Sequence, residues 1–249
     1  MSLLSGDAIL LAGGTGRVAG VTIATLVAHG AGVVVVSRRR AAAQAAIDAQ
    51  LEPAHRERAV AFEADLTRYE EGAGAVAEVV RRFGRIDALI SLAGGGSRFV
   101  PIAQSTPDDL ATSLRNNLTV AYNLALPALA TMLAQPPREN RRSRGRIVAV
   151  TAGSSLTPQP RFGIMGIGKA GVNVLMRAIA REHKADGIVA NAVILGGVGI
   201  EAAREYMSED DFAAAVTPQE AADILAFHAS DASTGVNGEL IHVNAREVD

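Results

Sequence analysis

Short apolar runs alternate along this chain with longer stretches whose apolar positions recur at helical spacing. The runs Ala8–Ala12, Val33–Val36, Val60–Ala64, Ile86–Leu92, Arg146–Thr151, Ile188–Ile194 and Gly238–Val243 predict about seven strands. The run Val33-Val34-Val35-Val36 shows no in–out alternation, as expected of a strand covered on both faces. Helical spacing runs from the glycine turn after the first strand to Val27, then over Ala41–Leu51, over Glu70–Phe83 with Gly84 as its stop, and over Gly168–Glu182. Thr106-Pro107-Asp108-Asp109 marks a further helix start by its threonine cap, its proline and its first-turn acids, and that pattern extends to about Leu133 with Asn116-Asn117 inside it. Thr217 and Glu220 form a capping box that opens the last helix. Between these elements, Pro136–Arg144 reads as a charged, solvated loop without chemistry, and Gly196–Val216 as an irregular, partly acidic stretch long enough for a lid. Alternation of this kind predicts one α/β domain over residues 1–249, a doubly wound parallel sheet with helices on both faces.

Composition narrows the partners. A formal charge of −2 gives no broad electrostatic argument for nucleic acid or an anionic membrane, and an aromatic fraction of 4% without tryptophan is a poor base-stacking set. The absence of cysteine excludes disulfides, thiolate metal sites and cysteine nucleophiles. Met1–Asp7 lacks a basic leader pattern, and no apolar run reads as long enough to span a bilayer. The expectation is a cytoplasmic protein acting on a small molecule, without nucleic acid, membrane or metal.

The chemistry gathers where strands meet helices. Gly13-Gly14-Thr15-Gly16-Arg17-Val18-Ala19 follows the first strand and opens the first helix, and Gly14-x-Gly16-x-x-Ala19 fits a dinucleotide fingerprint in its Gly/Ala form. Glycines let the backbone approach a diphosphate, and the helix N-terminus offers unpaired N–H groups. At the end of the second strand an acid would bind a ribose 2′-hydroxyl, but Ser37-Arg38 stands there, a pair suited to a 2′-phosphate. Asp65-Leu66 follows the third strand, where Asp65 is placed to cap the next helix or meet an adenine edge, and Ala93-Gly94 follows the fourth.

These features, with Asn117-Leu118, Lys169 and Asn191-Ala192, resemble the short-chain dehydrogenase/reductase family over essentially the full length. The resemblance implies a Rossmann-type sheet, an NAD(P) cofactor and a homodimer or homotetramer. It assigns the cofactor to Gly13, Gly14, Gly16, Arg17, Val18, Ser37, Arg38, Asp65, Leu66, Ala93, Gly94, Lys169, Gly196 and Val198. It also implies catalysis by a tyrosine, a lysine, a serine and an asparagine. Lys169 and Asn117 match two of these, while Met165 stands at the usual tyrosine position and Ala152 at the usual serine. Pro160–Lys169 is similar to the enoyl-acyl-carrier-protein reductase branch, and on that register the tyrosine position holds Phe162. Ser154 is the candidate replacement hydroxyl, beside Thr151 and Ser155, and Tyr122 or Tyr206 would supply a phenol only by an indirect path. The expected function is an NADP(H)-dependent reduction of a carbonyl or conjugated double bond on an apolar substrate, by a degenerate site. The alternative is a repurposed scaffold, either a non-redox cyclase or isomerase or a ligand-binding sensor or partner protein.

Overall fold

The computed structural model describes residues 2–201, 204 and 208–243; the side chains of Arg17 and Asp211, and Tyr206 as a whole, lie outside that description. The strands are β1 (Ala8–Ala12), β2 (Gly32–Ser37), β3 (Ala59–Glu63), β4 (Ala88–Ser91), β5 (Gly145–Ala152), β6 (Ile188–Leu195) and β7 (Leu240–Val243). They pair in the order β3-β2-β1-β4-β5-β6-β7, every pair parallel. This is the predicted doubly wound, Rossmann-type sheet. Strand order reverses between β1 and β4, which opens a crevice beyond their C-terminal ends.

Parallel strands need crossovers, and the helices supply them on both faces. α1 (Arg17–Ala28), α2 (Arg40–Gln50) and α8 (Pro218–His228) close one face around Ile23, Leu26, Ile47 and Leu225. α3 (Tyr69–Phe83), α5 (Val120–Ala134) and α6 (Gly163–Glu182) close the other around Val76, Val79, Leu124, Val172 and Met176. Val33 to Val36 are fully buried between them, which explains the missing alternation. Two shorter helices are α4 (Pro107–Ser113) and α7 (Glu209–Ala214). Both expected threonine caps form: Thr106 Oγ1 accepts from Asp109 N at 3.2 Å, and Thr217 Oγ1 from Glu220 N at 3.1 Å. Gly84 ends α3 in the left-handed region, where a side chain would be strained.

The structure departs from the sequence pattern in five places. The long helix from Thr106 contains a π-helical segment, Leu114–Thr119, between α4 and α5. By length and mean hydropathy Pro107–Ala134 does reach membrane-spanning dimensions, contrary to expectation, and 56% of that window is buried inside the fold as a core helix is. α6 begins at Gly163 and not at Gly168. The stretch after β6 holds α7 and is pinned at both ends by a parallel bridge between Val198 and Val216. The charged loop 136–144 turns inward. Arg138 and Arg141 reach Asp7 Oδ1 at 3.0 and 2.7 Å, and Arg146 of β5 reaches Asp7 Oδ2 at 3.4 Å. Asp7 is buried, so its charge has to be met by cations from within the protein. A count of charges along the chain shows no such partnership.

Candidate active site

A groove of about 450 Å³ opens at the C-terminal end of the sheet, over the crevice beside β1. Gly13, Gly14, Gly16, Ser37, Arg38, Asp65, Leu66, Ala93 and Gly94, all expected from sequence, line it. The glycines are there for a reason that can be read in ångströms. At Gly13, with φ +87°, an added Cβ would lie 2.8 Å from Ala93 N, so the turns after β1 and β4 touch backbone to backbone. At Gly14 it would lie 2.3 Å from Val35 Cγ1. At Gly16, the N-cap of α1, it would meet nothing within 4 Å, and no side chain caps this helix. An open backbone path past an uncapped helix N-terminus fits a dinucleotide diphosphate.

Asp65 closes the groove on the β3 side. Its Oδ1 accepts from Thr67 Oγ1 at 2.8 Å and Thr67 N at 3.1 Å, and these bonds hold its carboxyl below the usual carboxylate range, with Arg38 and Arg68 adding to the effect. It does not cap α3, whose N-cap is Arg68; the carboxylate is spent on its own turn instead.

At the inner end three elements converge. Lys169 Nζ donates to Val150 O at 3.0 Å, and burial lowers its pKa to about 8. Asn117 Oδ1 accepts from Gly95 N at 3.0 Å, while its Nδ2 donates to Ser113 O at 2.9 Å. Gly94 lies between the two side chains: a Cβ there would sit 2.6 Å from Lys169 Nζ and 2.8 Å from Asn117 Oδ1. Gly168 permits the approach, since a Cβ on it would meet Ser113 Oγ at 2.8 Å and Asn117 Cβ at 3.3 Å.

The start of α6 contributes no residue to the groove lining and forms a separate wall with Phe99 and Ile102. Phe162 is the N-cap residue of α6 and packs against Phe99 with ring centroids 4.9 Å apart and the rings tilted by 42°. Met165 is half-buried one turn before Lys169. Phe99 and Ile102 are 46% and 58% exposed, so this wall presents apolar surface to solvent. Arg161 takes φ +74°, a left-handed conformation in a residue other than glycine, and its Nε donates to Phe99 O at 3.2 Å. Strain of this kind is held in place by surrounding contacts and is common at ligand sites. Ser154 Oγ and Thr151 Oγ1 are buried with no hydrogen-bond partner, whereas Ser155 Oγ accepts from Asn173 Nδ2 at 2.8 Å.

Residues 7–211 match the family described as short chain dehydrogenase. The chain belongs to that family. This short-chain dehydrogenase is 26% identical, over 98% of both chains, to 2,3-dihydroxy-2,3-dihydro-p-cumate dehydrogenase of Pseudomonas putida. It is 29% identical to acetoacetyl-CoA reductase of Shinella zoogloeoides, over 82% of this chain and 86% of the other. Its fold overlays a short-chain type dehydrogenase/reductase from Mycobacterium ulcerans with a TM-score of 0.86, at 24% identity over 99% of this chain and 93% of that one. Membership makes it an oxidoreductase of the NAD(P)-dependent type.

Several expected residues of this dehydrogenase lie outside the groove lining. Gly196 N donates to Val243 O of β7 at 2.8 Å, and Val198 forms an isolated parallel bridge with Val216. Val18 is half-buried in the first turn of α1, and the side chain of Arg17 lies outside the described residues. Asn117 is wholly buried, and it is its neighbour Asn116 that lines the groove. Gly95 and Gly96, the rest of the small-residue turn Ala93-Gly94-Gly95-Gly96 through which a cofactor is expected to pass, line it as well, and so do Thr15 and Thr67, which were not assigned to the cofactor. Tyr69 and Tyr122 are not in the lining, and Tyr122 is exposed on α5. Among the described residues no group of three His, Asp or Glu side chains is placed to hold a metal ion.

Proposed function

We propose that this short-chain dehydrogenase is an NADP(H)-dependent reductase acting on a carbonyl or conjugated double bond of an apolar substrate with an anionic end. The observation that carries the cofactor preference is the end of β2. Ser37 and Arg38 line the groove where a carboxylate would otherwise select a free 2′-hydroxyl, and the carboxylate ending β3, Glu63, is occupied by Arg40 N at 2.8 Å. A guanidinium at that point suits a 2′-phosphate through charge-assisted hydrogen bonds. The glycine turn and α1 would hold the diphosphate, and Lys169 beside Gly94 would hold the nicotinamide ribose. When bound, the cofactor supplies the hydride.

The proton is a separate matter, since Phe162 and Met165 have none to give. Removing a positioned acid typically costs roughly 10²–10⁴-fold in rate. Conjugate reduction tolerates this better than carbonyl reduction, because its second hydrogen goes to carbon and water can supply it. Ser154 has an unused hydroxyl to polarise the substrate oxygen, and the Pro160–Lys169 segment supports an enoyl-reductase-like reading. Phe99, Ile102 and Phe162 offer an apolar wall, and the Arg161 guanidinium, anchored by Nε on Phe99 O, keeps its terminal nitrogens for the anionic end of the substrate.

Titration of NADPH and NADH by nicotinamide fluorescence tests the reading. Arg38→Asp is expected to weaken NADPH about 10–100-fold, in keeping with one charge-assisted contact of roughly 1.5–3 kcal/mol, and to leave NADH unchanged or tighter. Equal affinities for the two cofactors before and after the change would overturn the preference.

A further inference from the structure

A second cavity, of about 500 Å³, lies at the opposite end of the sheet, between the C-terminal part of α6, the start of β6 and the loop before β7. β6 spans eight residues, so roughly 25 Å of strand separates this cavity from the end that carries the groove. Arg142, Arg177, Arg181 and Lys184 line it, with Glu239 as the one carboxylate. Among the described residues none of these four cationic groups has an ion pair or a side-chain hydrogen bond. The neighbouring Arg138, Arg141 and Arg146, by contrast, are all paired with aspartates.

The negative end of the α6 dipole accounts for a cation at Arg181 or Lys184. It accounts neither for Arg177, which stands one turn further back, nor for Arg142, which comes from a different segment. Arg177 and Arg181 are four apart on one helix, an arrangement that by itself repels by a few tenths of a kcal/mol. The cavity walls are fixed. Asn237 accepts from Ala190 N at 2.9 Å and donates to Ile188 O at 3.1 Å, and Arg144 N donates to Gly187 O at 2.7 Å. Asp231 holds Arg142 N at 3.0 Å, which places that residue while leaving its guanidinium unused. A rigid concavity with unneutralised cations on its rim concentrates positive potential and is preorganised for an anion.

We propose that this cavity binds a small polyanion with two or more phosphate groups, at a site separate from the cofactor groove. Each phosphate monoester brings a charge of roughly −1.5 to −2, so two of them match the four cations less Glu239. Arginine forks suit phosphate oxygens in pairs.

Isothermal titration of the full chain with sodium tripolyphosphate, and separately with ATP, tests this. Binding is expected to weaken at least tenfold in the double variant Arg177→Ala/Arg181→Ala and to be unchanged in Arg38→Ala, which alters only the groove. Because both altered side chains are exposed, the double variant should keep the wild-type Tm, so lost binding is not lost folding. Equal affinity for the two probes would mean that phosphates alone are read, and tighter ATP that a nucleoside is read as well; either supports the site. No heat up to millimolar tripolyphosphate, equal binding of citrate, or loss in Arg38→Ala with none in the double variant would overturn it. Loss confined to the double variant leaves the NADP(H) reading untouched, whereas loss confined to Arg38→Ala would place the phosphates in the cofactor groove, so failure here is distinguishable from failure there.

Discussion

Replacing Lys169 with methionine would remove a buried ammonium from α6 while keeping a flexible apolar stem. Burial moves this group from its ordinary 10.5 to about 8. Between those values the unfolded chain holds the proton more tightly than the folded one, so stability rises with pH across the window, is fully gained above about 10.5 and is lost as pH falls through 8. At 1.36 kcal/mol per pH unit the interval corresponds to about 3 kcal/mol. The sequence contains only two lysines, Lys169 and the exposed Lys184, and Lys184 and the three tyrosines are common to wild type and variant, so the difference between the two isolates Lys169. Urea unfolding followed by far-ultraviolet circular dichroism at pH 7, 8, 9, 10 and 10.5 would read the effect. Lys169→Met is expected to be more stable than the wild type by about 2–3 kcal/mol at pH 7, with the gap closing by pH 10.5. A gap that stays constant over that range, whatever its sign, would refute the argument that burial of the charge sets the lysine's energetics.

Two other changes probe the scaffold and the wall at the start of α6. Arg146→Ala strips a buried guanidinium from Asp7 and Asp231 and is expected to cost about 3–5 kcal/mol in urea unfolding; a loss under about 1 kcal/mol would show that Arg138 and Arg141 neutralise Asp7 unaided. Met165→Tyr places a phenol one turn before Lys169 and is expected to raise ketone reduction at least tenfold in a steady-state assay of NADPH oxidation. No gain there, nor in Phe162→Tyr, would mean that substrate does not pass that face of α6.

The scaffold was largely written in local patterns. Unbroken valine runs, a glycine stop at Gly84, a threonine cap at Thr106 and a capping box at Thr217 are decisions made within a few residues, and they held. The glycine turn and Ser37-Arg38 were equally legible, because strand ends in a parallel sheet have to converge on one crevice. What stayed hidden depends on partners distant in sequence. Asp7 meets Arg138 and Arg141 across more than a hundred positions, so the loop looked solvated. Asp65 reads from sequence as a helix cap or an adenine contact, and its hydrogen bonds to Thr67 remove only the first of these. Asn116 and Asn117 are adjacent letters of one type, and only the winding of the helix decides which of them lines the groove and which is buried.

That winding has a consequence of its own. A π-type turn such as Leu114–Thr119 accommodates one residue more than regular α geometry would over the same rise. Deleting a single amino acid there would let the rod close up as ordinary helix, with α4 and α5 still phased against their neighbours, yet it would swing Asn116 off the groove and part Asn117 from Gly95. Chain length at this one point therefore reports on the ligand site and is silent about the scaffold.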